Sequence, residues 1–206
     1  MLKFERSYYS DEVSAIVGID EAGRGPLAGP VVAAAVVFPK SYKNEDIDDS
    51  KKLTAKKRLK LFEEIKEHAL AYGIAFASAE EIDELNIYKA TKLAMKRALE
   101  QIHVDYQLIL TDAMPLQGLP APVIPIIKGD AKALNIAAAS VLAKVTRDQY
   151  MEELQEKYPN FSFGVHKGYD TKAHMEELER FGPIEGIHRK SFKPVGKFFQ
   201  EQLTLF

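Results

Sequence analysis

Two apolar runs separated by a stretch rich in glycine and proline constrain this 206-residue chain more than any other feature. Val13 to Ile19 reads as a short buried strand and Val31 to Phe38 as a second, and the Gly, Pro and Arg residues between them predict a tight connection. Asp20 and Glu21 stand where the first strand runs out. In an open α/β sheet, ligands gather at the carboxyl ends of strands, so an acidic pair at that place is a candidate for chemistry.

The rest of the chain supplies partners for these strands. Thr54 can cap a helix through about Ala69, in which Leu59, Phe62, Ile65 and Ala69 recur at helical spacing. Tyr72 to Ala79 reads as a third strand, Ile87 to Gln101 as an amphipathic helix, and Tyr106 to Leu110 as a strand ending at Thr111-Asp112. Prolines from 115 to 125 mark a loop before a short edge strand near Val123 to Ile127. Leu134 to Tyr158 predicts one long helix that begins small and apolar, and Thr171 to Arg180 another. The pattern predicts an α/β fold with a mixed sheet of about five strands flanked by helices. At 46% hydrophobic residues the chain can bury one core, so residues 1–206 are read as a single domain, with 183–206 a helical C-terminal extension and tail.

Composition removes several function classes. The chain has no cysteine, which excludes disulfides, thiolate metal sites and a cysteine nucleophile and leaves oxygen or imidazole ligands for any metal. The first residues lack an apolar signal core and no run approaches the roughly 18 apolar residues of a spanning helix, so a soluble, cytoplasmic protein with no membrane partner is expected. Net charge is −2, but six basic residues lie between Lys51 and Lys60, and His188, Arg189, Lys190, Lys193 and Lys197 form a second group. Either group is rich enough for a phosphate-binding patch, with Lys51 a candidate substrate contact; solvated faces are the equal alternative.

Asp112 stands at a second strand end and Asp130 follows a Lys128-Gly129 turn before the long helix. If the two strands are neighbours, Asp20, Glu21, Asp112 and Asp130 converge, and two such charges about 4 Å apart repel by about 4 kcal/mol at an effective dielectric of 20. A divalent cation relieves that repulsion, and carboxylate oxygens suit Mg²⁺ or Mn²⁺, two of which could flank a phosphate during in-line phosphoryl transfer. Ser140, Lys144, Arg147 and Asp148 fall at helical spacings; Ser140 and Lys144 are candidates for support or phosphate contact, beside a plain Lys144–Asp148 surface pair. Gly23-Arg-Gly-Pro-Leu-Ala28 also satisfies a loose dinucleotide-binding fingerprint, but Pro26, Pro30 and the strand-like run after them do not open the helix that fingerprint needs.

The run Gly18-Ile-Asp-Glu-Ala-Gly-Arg-Gly-Pro-Leu-Ala-Gly-Pro30 closely resembles the opening motif of the ribonuclease HII family. Asp49-Ser-Lys-Lys-Leu53, Thr111-Asp112, Lys128-Gly-Asp130, the run from Ala137 to Asp148 and His166-Lys-Gly-Tyr-Asp-Thr171 follow in the family's order. The resemblance implies a ribonuclease H-like fold whose carboxylate tetrad is Asp20, Glu21, Asp112 and Asp130. It implies cleavage of RNA–DNA hybrids and nicking 5′ of ribonucleotides embedded in duplex DNA, with 5′-phosphate and 3′-hydroxyl products. It further implies that Gly23, Arg24 and Gly25 sense the ribose 2′-hydroxyl and grip the adjacent phosphate, and that Tyr169 stacks on the following sugar. The last residues, with Gln202, Leu203, Leu205 and Phe206, resemble the tail motif by which bacterial replication proteins dock on the sliding clamp, although a tail folded back on its own domain is the even alternative.

Overall fold

A computed structural model describes the backbone of residues 2–204 and the side chains of residues 4–199. Its centre is a five-stranded sheet made of β1 (Ile16–Ala22), β2 (Val31–Val37), β3 (Ala71–Ala77), β4 (Leu108–Asp112) and β5 (Val123–Ile126), in the order β3-β2-β1-β4-β5. The pairs β1–β2 and β2–β3 are antiparallel, whereas β4 runs parallel to both β1 and β5. The mixed sheet expected from the alternation of patterns is the one observed, and Pro125 sits, as its missing N–H requires, on an edge strand.

Around the sheet lie α1 (Leu2–Arg6), α2 (Ala55–His68), α3 (Ala79–Leu85), α4 (Ile87–Leu99), α5 (Leu134–Lys157), α6 (Phe163–His166), α7 (Lys172–Phe181) and α8 (Lys193–Thr204). Strand alternation divides β2 between two cores: Val31, Ala33 and Ala35 pack with Ala90, Ala94 and Met95 of α4, while Ala34 and Val36 pack with α2 and α5. Small residues set the spacing of the second layer. A Cβ on Gly18 would lie 2.2 Å from the backbone carbon of Asn135, so the first turn of α5 can rest directly on β1. A third cluster joins Leu27 and Ala28 to Met151, Phe161, Phe163, Leu178 and Val195, so the C-terminal helices back the connection between β1 and β2.

Several boundaries differ from the sequence expectation. The first strand begins three residues late because the Gln107 side chain takes the N–H groups of Ser14 and Ala15, both at 3.0 Å. It also continues through Ala22, since β2 keeps pairing with it: Asp20 faces Ala34 and Glu21 faces Ala33, beyond the last partner that β4 supplies. Both acidic residues are thus inside the strand and not past its end. Leu59 is 49% exposed and Leu61 takes the buried position instead. Helix α3 was not expected, although Ser78 and Glu81 form a reciprocal capping box whose S-x-x-E pattern is visible in the sequence. His188 and Arg189 are buried, which removes them from the proposed surface patch. Among the described residues no helix is long and apolar enough to cross a membrane.

Helix α5 is preceded by Ala133, whose methyl group cannot cap it. Glu5 does so from 130 residues away: it is 4% exposed and its Oε2 accepts from the Asn135 N–H at 2.9 Å. Glu5→Ala is expected to lower stability by about 1–2 kcal/mol, the usual loss of a capping group left without replacement. A urea midpoint equal to the parent's would remove Glu5 from this role.

Candidate active site

The parallel pairing of β1 and β4 brings Asp20 and Asp112 to the same end of the sheet. Asp112 Oδ1 accepts from the Gly129 N–H at 2.8 Å, which ties the strand to the single turn Gly129–Ala131 that carries Asp130. As a result, one carboxylate oxygen from each of Asp20, Asp112 and Asp130 lies within 4.8 Å of the other two. Glu21 stands beside this set and not within it, since the pleat turns successive side chains apart. Its Oε1 accepts from Arg24 Nη1 at 3.3 Å, while its buried Oε2 has no hydrogen-bond partner among the described residues.

Carboxylates so close and so dry resist ionisation. Asp20 is held well above the ordinary carboxylate range, first by burial and then by the charges of Glu21 and Asp112, against which hydrogen bonds from Ser140 and the Glu21 N–H pull down. Burial likewise raises Glu21, with Arg24 opposing. Asp130 is raised by burial and by Asp112, and Lys51, whose Nζ is 3.6 Å from Asp130 Oδ2, offsets part of this. At 4.8 Å and an effective dielectric of 20, each fully charged pair repels by about 3.5 kcal/mol. An all-oxygen donor set, mutual repulsion and an orphaned buried Glu21 oxygen fit a hard divalent cation, Mg²⁺ or Mn²⁺, and no softer metal.

Next to the carboxylates opens a cleft of about 230 Å³. Its walls gather Glu21, Gly23, Arg24, Gly25, Lys51, Ser140, Lys144 and Tyr169 from four separate segments. Lys51 also faces the neighbouring concavity that holds Asp112 and Asp130. Ser140 Oγ lies 2.9 Å from Ser50 Oγ, which fastens the Ser50 loop to α5, and Lys144 pairs with Asp148 at 2.6 Å as its helical spacing predicted. Tyr169 is 45% exposed, and Gly25 is placed so that an added Cβ would lie 3.8 Å from its ring. Of the tail residues named above, Leu205, Phe206 and the side chains of Gln202 and Leu203 lie outside the described residues.

Two arginines that the sequence did not single out for this task shape the loop from Gly23 to Pro30. Arg147, 1% exposed, donates to the carbonyls of Pro30, Ala28 and Lys167 at 3.0, 3.1 and 3.0 Å. Arg189, fully buried, donates to those of Gly23, Arg24 and Gly29 at 2.7, 3.0 and 2.8 Å. Burial first, and then the charge of Arg147, push the Arg189 guanidinium down to about 9. Gly23 has φ +98°, and a Cβ there would meet Arg147 Nε at 2.1 Å, so only glycine fits between loop and clamp. Nothing local distinguishes a clamping arginine from a surface one, because all of its acceptors in the Gly23–Pro30 loop lie more than a hundred residues away.

The family model described as Ribonuclease HII matches residues 17–195. The chain belongs to the ribonuclease HII family. It is therefore an enzyme, a ribonuclease, and the matched span contains every carboxylate and cleft residue described above while leaving out the tail. A ribonuclease HII of Acholeplasma laidlawii is 49% identical over 200 residues, which cover 97% of this chain and 98% of that protein. Among solved structures, ribonuclease H2 from Pyrococcus horikoshii superimposes with a TM-score of 0.77 at 28% identity, covering 91% of this chain and 98% of that one. The ribonuclease HII of Archaeoglobus fulgidus, solved in complex with PCNA, does so with a TM-score of 0.68 at 28% identity, covering 86% and 94%. The family fold agrees with the mixed sheet, flanking helices and helical C-terminal region of this chain.

Proposed function

We propose that this member of the ribonuclease HII family cleaves the RNA strand of RNA–DNA hybrids and nicks duplex DNA on the 5′ side of an embedded ribonucleotide, leaving 3′-hydroxyl and 5′-phosphate ends, as a step in ribonucleotide removal. The observation that carries this reading is a carboxylate cluster beside a cleft walled by Glu21, the Gly23–Gly25 loop and Tyr169. Asp20, Glu21, Asp112 and Asp130 would hold Mg²⁺ or Mn²⁺, two ions during catalysis. Such ions supply the charge that makes a water nucleophilic at neutral pH and stabilises the departing oxygen.

The chain's own groups account for selectivity. Gly23 and Gly25 let the backbone approach the ribose 2′-hydroxyl closely, and Arg24 offers a planar fork to the adjacent phosphate. Lys51, Ser140 and Lys144 line the same cleft and would position neighbouring phosphates. Tyr169 would stack on the sugar that follows the ribonucleotide, where a 2′-hydroxyl would obstruct it.

An end-labelled duplex with one embedded ribonucleotide tests the reading directly. With Mg²⁺ or Mn²⁺ one nick is expected, 5′ of the ribonucleotide, with an all-DNA duplex left whole and chelator stopping the reaction. Equal cutting of the all-DNA duplex would refute the selectivity.

The Archaeoglobus fulgidus protein was solved with PCNA, which supports a further reading of the tail: that Gln202, Leu203, Leu205 and Phe206 dock this chain on a sliding clamp. Removing residues 202–206 is expected to abolish clamp binding and to leave nicking of a short duplex intact. Clamp binding unchanged by the deletion would sink this part.

A further inference from the structure

Behind Tyr169 lie three histidines that the proposed chemistry does not use. His166 ends α6, His174 is on α7 and His188 follows it, and all three are buried. The His166 and His174 rings stack at 4.2 Å, with Phe161 and Phe163 packed against the other faces of the group.

Backbone donors assign the proton on each ring. The Ile184 N–H donates to His188 Nδ1 at 2.9 Å, so that nitrogen is bare and His188 carries its proton on Nε2. This N–H faces His174 Nε2 at 3.1 Å, which must accept. His174 is left with its proton on Nδ1 and donates it to the Tyr169 carbonyl at 2.9 Å. In the same way the Gly168 N–H donates to His166 Nδ1 at 3.1 Å, leaving the Nε2 proton for Glu177 at 2.9 Å. A single directed chain of hydrogen bonds therefore runs from Ile184 through His188 and His174 to the carbonyl of Tyr169.

We propose that His174, oriented by His188, is a positioning residue for Tyr169: the neutral histidine pair fixes the backbone that presents the Tyr169 ring to the cleft, and so sharpens recognition at the ribonucleotide junction. This role rests on the proposed function of Tyr169. The neighbouring carbonyls are pinned from elsewhere, Lys167 by Arg147 and Gly168 by the Leu27 N–H, which leaves the Tyr169 carbonyl as the point that the relay controls, together with the Thr171 N–H at 2.8 Å. A second proton on His174 would oppose the His188 N–H across 3.1 Å, so the relay needs neutral rings. Burial first, then the charge of His174, hold His188 down to about 3; burial also lowers His174. The charged or titratable groups facing the pair are His166 of α6, Glu177 of α7 and Asp170 just before it, and the two carboxylates do not outweigh the loss of water.

A kinetic double-mutant cycle on the full chain, cutting a duplex with one ribonucleotide, tests the role. Tyr169→Ala and His174→Phe are each expected to raise KM about tenfold with a smaller change in kcat, and the double variant to be no worse than Tyr169→Ala alone. His174→Asn, whose amide offers an N–H near the Nδ1 position, is expected to recover most of the loss. Losses that multiply in the double variant, in an enzyme that still cuts, overturn the proposal. Should His174→Phe fail to fold, imidazole ¹⁵N resonances of the parent decide: a proton on Nδ1 of His174 and on Nε2 of His188 is expected, and the opposite tautomer at His174 overturns the relay. A parent protein that leaves the ribonucleotide duplex whole overturns the proposed function and this role with it, a result distinct from multiplying losses.

Discussion

Asp20→Asn is expected to move activity and stability in opposite directions. Asp20 is 4% exposed and faces Asp112 and Asp130 across no more than 4.8 Å, so replacing its carboxylate with a neutral amide of the same shape removes repulsion that the metal-free protein must bear. Because burial and neighbouring charge raise the folded-state values of Asp20, Glu21 and Asp130, the folded chain binds more protons than the unfolded one above the ordinary carboxylate range. Their contribution to stability is then whole at acid pH and is lost as pH rises through the raised values. In chelator at neutral pH the variant should gain about 1–3 kcal/mol, a rise in Tm of about 2–12 °C for a chain of this size. The gain should shrink as pH falls through the raised values and be gone below about 4, where the carboxylates are protonated in folded and unfolded chains alike. Cleavage of the ribonucleotide duplex should drop by about a thousandfold, corresponding to roughly 4 kcal/mol of lost transition-state stabilisation. Thermal melts with and without Mg²⁺, run beside single-turnover cleavage, check both halves. A variant melting below its parent in chelator would show that the carboxylates do not strain this fold.

Arg189→Met has the second large effect, and it should reach the cleft without touching the carboxylates. The substitution leaves the buried carbonyls of Gly23 and Gly29 and the partly buried one of Arg24 without their donor, a loss of about 1–3 kcal/mol for each group that water cannot reach. Removing a cation whose own burial is unfavourable returns part of this, so a net loss of about 2–4 kcal/mol is expected. Cleavage should fall about a hundredfold or more, since a shift of about 1 Å in the loop that carries Arg24 is enough to misplace the phosphate. Arg189→Lys should recover little, because an ammonium cannot fork between carbonyls set for a guanidinium. The discriminating measurement is stabilisation by Mg²⁺, which should persist in Arg189→Met with the Asp20, Asp112 and Asp130 cluster intact. Activity at the parent's level would mean that the loop holds its shape without the clamp.

Patterns of short range were legible along the chain. The limits of α2 and α5 agree with the expected helices because Thr54 caps one and a small, apolar first turn marks the other. The two strands around Gly23–Pro30, the edge strand with Pro125 and the helix after Thr171 follow from the same local chemistry. Strand β1 was displaced for a reason no local pattern carries: the Gln107 side chain replaces one ladder partner, and continued pairing with β2 extends the other end. The same limit hid Arg147 and Arg189, whose acceptors are distant in sequence, and placed His188 and Arg189 in a surface patch by composition when both are buried.

By itself, then, the order of residues determined an α/β layer fold, an oxygen-only set of acidic candidates and a Gly-Arg-Gly loop beside them, because propensity, periodicity and donor chemistry are local properties. Only the tertiary structure decided that three of those carboxylates come within 4.8 Å of one another while Glu21 stands alongside, that two buried arginines hold the loop, and that a histidine pair reaches the Tyr169 carbonyl. Distances between groups far apart in the chain depend on sheet order and helix packing, and these are set by how whole layers bury their apolar faces against one another.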